Sequence, residues 1–396
     1  MTAFRYLTAG ESHGPALTMV VEGVPAGLGL TEDQIAADLG RRQGGYGRGR
    51  RQQIETDRAR ITAGVRHGLT IGSPIALWLE NADHQNANWQ VRMAVGAVDE
   101  EQERVTLLRP GHADLTGTQK YGFDDVRPIL ERSSARETAA RVAVGAIARA
   151  LLAEIGVEIH SHTVAIGEVQ ADSPEDSGEI DWAAVDASPV RVVDSDAEAR
   201  MIAAIDATKE DLDTLGGVFE VRASGVPIGL GSHVQWDRKL DGQIAQAFMS
   251  INAVKGVEIG DGFVSAARPG SEAHDEILPA DRWQRGPWDR ATNRAGGLEG
   301  GMTNGQDVVV RAALKPIATV PRRLPTADLA TGKEATSFYE RSDVCVVPAG
   351  GVIGEAMLAI SLAGAALEKF GGDHVAELRR NCRAFLDTVG PQGRGE

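Results

Sequence analysis

The sequence predicts an α+β fold built as two related halves that face each other across one core. Three observations carry this. Residues 23–29 read GVPAGLG and residues 225–231 read GVPIGLG, an offset of 202 with a single mismatch in seven positions. A strand-like run precedes each: Leu17 to Val21 (LTMVV) and Val218 to Val221 (VFEV). A helical stretch with a matching core follows each, Gln34-Ile35-Ala36 answering Gln243-Ile244-Ala245. The plainer reading is chance, since Gly and Pro are common turn residues. Shared context on both sides argues instead for an internal duplication of strand, Gly-Pro turn and helix. The period is far too long for a solenoid. The halves span about 1–160 and 215–370 of a single 396-residue domain.

Individual elements follow from caps and periodicity. Thr31 to Gly40 reads as a helix opened by a Thr31…Gln34 capping box. Ser134 to Ile155 reads as a long Ala-rich helix, opened by Ser134…Glu137 and stopped by Gly156. Ser195 to about Leu212 is a third, with Ser195…Glu198 at its start. Ile353 to Phe370 is apolar on most faces and ends at Gly371-Gly372, and Asp373 to about Leu386 is amphipathic. Val308-Val309-Val310 and Val344 to Val347 read as strands. Residues 165–195 are acidic and rich in Pro, Ser and Asp, an expected surface excursion between the halves. Residues 390–396 read as a disordered tail.

Composition narrows the function classes. The net charge of -15 argues against a general nucleic-acid or membrane-surface binder, so an anionic ligand must be drawn in by a local basic patch. Lys+Arg is 41 and seven are lysines, leaving 34 arginines, the side chain that grips phosphate or carboxylate through paired hydrogen bonds. Two cysteines, Cys345 and Cys382, are too few for a disulfide framework or a zinc site, and no metal is expected. Met1 to Gly10 lacks an apolar signal region. The run Ala356 to Leu367 is too short to span a bilayer and reads as a core helix. The expected location is the cytoplasm.

Six short stretches carry chemistry. In GESHGP (10–15), His13 sits at a strand entry between residues that leave room for a ligand, and can move a proton near neutral pH. In RRQGGYGRGRR (41–51), Arg41, Arg42, Arg48, Arg50 and Arg51 share eleven residues with four glycines, which suits a mobile loop folding over a polyanion. The stretch lacks the Lys-Ser/Thr of a Walker A loop. RPGHAD (109–114) sets Arg109 and His112 around a Pro-Gly turn. RSSARET (132–138) is a helix start with Arg132, Ser133, Ser134 and Arg136, where free N–H groups and the helix dipole attract anions. GGLEGGMTNG (296–305) lets a backbone lie flat against a planar ligand, or simply turns between strands, and KPIAT (315–319) follows with a cation and a hydroxyl. In RSDVC (341–345), Asp343 enters an apolar stretch as an ion-pair partner or a tuned base.

Together GESHG with GVPAG, RRQGGYGRG, RPGHAD, RSSARET, NAVKGVEIGDGF (252–263), GGMTNG and RSDVC resemble the chorismate synthase family, in the family's order and over nearly the whole chain. The resemblance implies a β-α-β sandwich of two pseudo-symmetric halves, assembled as a homotetramer. It implies a 1,4-anti elimination of phosphate from 5-enolpyruvylshikimate 3-phosphate, with reduced FMN and no net redox change. Carried over residue by residue, His13 protonates the departing phosphate, His112 protonates or balances the charge of the reduced flavin, and Asp343 relays a proton at the flavin's N5 edge. Arg42, Arg48, Arg51, Arg109 and Arg136 clamp the substrate's phosphate and carboxylates, or an NADPH phosphate. Arg132, Ser133, Ser134, Asn252, Ala253, Gly300, Lys315, Pro316, Ile317, Ala318, Thr319 and Arg341 line the FMN. Ala318 replaces a hydroxyl residue common in that stretch, a departure that removes one phosphate contact.

Two other readings compete. An FMN-dependent NADPH oxidoreductase needs a nicotinamide site, and no separate Rossmann unit is legible. That favours an outside source of reduced flavin, such as a flavin reductase, over NADPH gripped by Arg42 and Arg48 of the chain itself. An RNA-binding module on the arginine loop predicts stacking aromatics beside it, and Tyr46 is the only aromatic inside the loop.

Overall fold

The computed structural model describes residues 4–49, 56–98, 102–172, 180–339 and 343–391. Arg51 and Arg341, and most of the expected tail, lie outside them.

In the first half, strands β1 (Arg5–Ala9) and β2 (Ala16–Glu22) lead through the Gly-Pro turn into helix α1 (Glu32–Gln43). Strands β3 (Arg60–Ala63) and β4 (Ile75–Glu80) follow, and the half closes with helix α2 (Thr138–Ala153). The second half repeats the order. Strands β5 (Glu158–Ile166) and β6 (Gly217–Ser224) lead to helix α3 (Leu240–Met249), then β7 (Val254–Ile259), β8 (Val308–Leu314) and helix α4 (Val347–Phe370). The first sheet runs β1-β2-β4-β3. The second runs β5-β6-β8-β7 with a two-residue strand, Val169–Gln170, at the β5 edge. All pairings are antiparallel, so the two sheets share one internal order.

The strands alternate because one face meets a helix layer and the other does not. Met19 and Val21 of β2 are fully buried while Val20 between them is exposed. Helix α2 packs against the first sheet, and α4 and α3 against the second. Ile35 and Ile244, the matched core residues of the two copies, are both fully buried. Where α2 crosses α4 the backbones nearly touch: a Cβ on Gly145 would stand 2.3 Å from that of Ala356, so only glycine fits. Helix α4 is long and apolar enough to cross a membrane, yet most of it is buried here as the core helix that its composition predicts.

Several boundaries differ from expectation for identifiable reasons. The Thr31…Gln34 capping box forms as predicted. Ser134 instead accepts from the Arg136 N–H, which winds Ala135–Glu137 into a 3₁₀ turn before α2 starts. Asp194, not Ser195, caps the helix Ser195–Glu210, because its carboxylate reaches two N–H groups at once. Val344 to Val347 is not a strand: it carries one bridge, Leu215 to Cys345, and Pro348 sets the first turn of α4. Residues 165–195 are more than a surface excursion. The described part holds a short helix, Trp182–Ala187, with Val185, Val190 and Val192 buried and Trp182 stacked on His160 of β5.

Candidate active site

The glycine-proline strand entry and the turns before α2 bring His13 against Glu131. The His13 backbone N–H donates to Glu131 Oε2 at 2.8 Å, and ring Nδ1 lies 2.9 Å from the same oxygen. A carboxylate only accepts, so Nδ1 carries the proton and proton transfer to a ligand falls to Nε2. Burial pushes the Glu131 carboxyl up, but hydrogen bonds from His13 and the charge of Arg127 outweigh it and hold it low. The other side of the imidazole stacks on Trp89, with centroids 3.9 Å apart, and Arg127 sits over that indole. Ser134 Oγ donates to Ser12 Oγ at 3.2 Å, tying the helix start to the strand entry.

His112 is built by the same device. Its Nδ1 lies 2.5 Å from Asp114 Oδ1, and Arg109 grips both oxygens of that buried carboxylate. Burial raises the Asp114 carboxyl, and hydrogen bonds from His112 and Arg109 overcome it, leaving it well below the usual carboxylate range. Arg109 also donates to Thr319. Lys315 Nζ donates to the Gly111 carbonyl at 2.9 Å, and its own N–H donates to Ala253. Asn252 donates to the Ser133 carbonyl at 3.0 Å, and Ala253 holds the left-handed backbone, φ 69°. A continuous set of contacts therefore joins His112, Lys315, Asn252, Ser133, Ser134, Ser12 and His13 at one end of the sandwich.

The arginines divide by what already occupies them. Arg136 is buried, with Nη1 on both oxygens of Asp57 and Nε on Asn81. Arg42 is buried on Thr138 Oγ1 and the Ala135 carbonyl, 3.6 Å from Asp57. Burial and the neighbouring Arg48 guanidinium pull it down to about 10. Internal acceptors fix the orientation of the Arg42, Arg109 and Arg136 guanidinium groups and keep their charge at this end of the sandwich. Arg48 differs. Its Nη1 meets Asp343 at 3.2 Å, and its buried Nε has no partner among the described residues. The Gly49 N–H donates to the same Asp343 at 2.5 Å. The described part of the loop is tied at two residues: Val344 donates to Gly47, and Tyr46 donates to Pro189 and Asp206.

The donors at the end of β8, namely Lys315, Thr319 and the Arg109 beside it, suit the phosphate of a flavin mononucleotide. Burial and nearby Lys255 lower the Lys315 amine. Pro316 and Ala318 follow Lys315 directly, and the Ile317 carbonyl accepts from Thr214. Arg132 is spent on the carbonyls of Thr8 and Gly10, and Ser133 Oγ on Ile129. Gly300 and Gly301 turn the short hairpin Leu298–Thr303 ahead of β8. Sequence reasoning missed Glu131, Asp114, Asp57 and Trp89. Asp114 stands two residues from His112 and was legible; the others become neighbours only through the fold.

Comparisons with known proteins show the family. Residues 4–367 match the family model described as chorismate synthase. A chorismate synthase of Salinispora tropica is 54% identical over 393 residues, covering 97% of this chain and 99% of the relative. One from Thermobifida fusca is 56% identical over 395 residues, covering 97% and 99%. A solved crystal structure of a chorismate synthase superposes with a TM-score of 0.76 at 42% identity, covering 97% of each chain. The chain belongs to the chorismate synthase family.

Proposed function

We propose that this chain is a carbon–oxygen lyase that eliminates phosphate from 5-enolpyruvylshikimate 3-phosphate in a 1,4-anti sense to give chorismate, the last common step of aromatic amino-acid biosynthesis. The observation that carries the reading is a pair of histidines, each held by a buried carboxylate, at one end of the sandwich beside an arginine with an unspent donor. Reduced FMN, when bound, supplies the transient electron density needed to break a C–H bond that no carbonyl acidifies. Lys315 and Thr319 would hold its phosphate, and Ser133, Ser134, Asn252 and Ala253 would line its site.

The chain's own residues do the rest. Glu131 holds His13 through Nδ1, and the imidazole gives its Nε2 proton to the departing phosphate. Asp114 keeps His112 oriented beside the Gly111 carbonyl that Lys315 holds. Arg48 meets an anionic group of the substrate with its open Nε donor. Asp343, held by Arg48 and the Gly49 N–H, receives the proton lost from carbon. Arg42, Arg109 and Arg136 supply positive charge from behind, in a chain whose net charge is -15. The protein works as a cytoplasmic homotetramer, fed with reduced flavin by a reductase or by NADPH.

Anaerobic phosphate release with dithionite-reduced FMN tests the reading. Oxidised FMN alone is expected to give no turnover, and activity without reductant overturns the flavin requirement. Steady NADPH oxidation by the pure protein, without phosphate release, favours the oxidoreductase instead. Replacing Arg48 with Ala is expected to cost about 1.5–3 kcal/mol of substrate binding, the range for a hydrogen bond to a charged group, or roughly 10- to 150-fold in KM. An unchanged KM places Arg48 outside the substrate's reach.

A further inference from the structure

A second cationic concavity lies on the outer side of the second sheet. It is a cavity of about 600 Å³ walled by Arg222, Arg268, Arg285, Arg294 and Arg311, with Asp261 and Asp307 among them. Asp307 precedes β8 and Lys315 follows it, so this cavity sits at the end of the sheet opposite the histidine site. We propose that it binds a small polyanionic metabolite bearing phosphate or carboxylate groups.

The carboxylates nearby are largely spent on internal contacts. Glu220 lies beneath the floor and takes Nε of Arg222 at 2.5 Å and Nε of Arg311 at 2.6 Å. Asp289, beside Arg285, accepts from the backbone N–H groups of Gln284, Arg285 and Arg290 and from Gln306. Asp261 pairs with Arg268. Among the described residues Glu220 is the only hydrogen-bond acceptor for the Arg222 side chain, and no hydrogen bond holds the half-buried Arg294 guanidinium, although Asp307 lies near Arg222 and Arg285 and Asp275 near Arg294. Converging guanidinium groups repel one another until an anion enters, and each presents paired donors that match a phosphate or carboxylate. The volume falls in the range of small-molecule sites, about 300–1,000 Å³.

The fold does not demand these charges. The residues that answer Glu220 and Arg222 in the first half, 202 positions earlier, are Thr18 and Val20, and the first sheet forms with the same strand order. The arginine face is peculiar to the second copy.

Inorganic pyrophosphate titrated calorimetrically into the full-length protein, with reduced FMN and substrate product saturating the histidine site, tests this. One binding event per chain is expected, weakened at least tenfold by Arg294→Gln and by Arg285→Gln, and unchanged by Arg48→Ala. Phosphate release should persist in the Arg294 and Arg285 variants, showing that they fold. Absence of binding, or binding lost in Arg48→Ala but kept in Arg294→Gln, overturns the proposal.

Discussion

His13→Ala is expected to lower kcat by about 100- to 10,000-fold, the usual contribution of a positioned acid or base, while KM changes little. The residue donates through Nε2 because Glu131 occupies Nδ1, so its loss removes a proton from the leaving phosphate and not a binding contact. Glu131→Gln separates the two roles. The amide keeps the size and a hydrogen-bonding oxygen but loses the negative charge beside Nδ1. Its kcat is expected to fall by about tenfold, less than in His13→Ala. An unchanged kcat leaves Glu131 a purely structural partner. Steady-state kinetics from pH 5 to 9 with reduced FMN decide between them.

The largest effect on stability is expected at Glu355. This carboxylate of α4 is fully buried and receives Arg41 at 2.6 Å, Arg149 at 2.9 Å, Arg191 at 3.4 Å and Ser161 at 2.6 Å. It ties α1, α2 and β5 to α4. Burial alone raises its pKa, but the guanidinium groups of Arg41 and Arg149 pull harder and hold it below the ordinary 4.5. Glu355→Gln removes the one buried anion that three cations share, leaving them Asp38 and Asp186 at the rim. Breaking a buried pair costs about 3–5 kcal/mol, and the partial exposure of Arg41 and Arg149 places the loss toward the lower end. Urea unfolding should show the midpoint fall while kcat per folded molecule stays the same. The pH sign follows from the lowered value: the group's stabilisation is complete above about pH 4.5 and fades as pH drops through the folded-state pKa. The variant should therefore lose less stability than the parent between pH 5 and 3. A midpoint unaltered by the substitution refutes the account.

The duplication was legible because it lives in turn chemistry and strand alternation, both local. GVPAGLG and GVPIGLG announce matching strands and helices, and Ile35 and Ile244 occupy matching core positions. Local competition explains the errors. Asp194 and Ser195 are both good caps, and only geometry picks the carboxylate. Val344 to Val347 has strand composition, yet Pro348 is a strong opening for a helix. The site was half legible for a related reason. Histidines and arginines can be named from type and spacing, whereas their orienting partners are set by folding. Glu131 lies 118 residues from His13, and Asp57 lies 79 from Arg136. Nor can type and spacing show that Asp57 and Asp114 orient three of the arginines.

The crossing at Gly145 and Ala356 has a mechanical consequence. Two helices that meet with no side chain between them cannot slide past each other without a steric clash, and close-packed interiors yield little to such strain. The helix slab therefore acts as a rigid anvil under both sheets. Whatever admission and release of ligands requires must be done by the connecting loops, so catalytic speed and scaffold firmness are free to evolve separately.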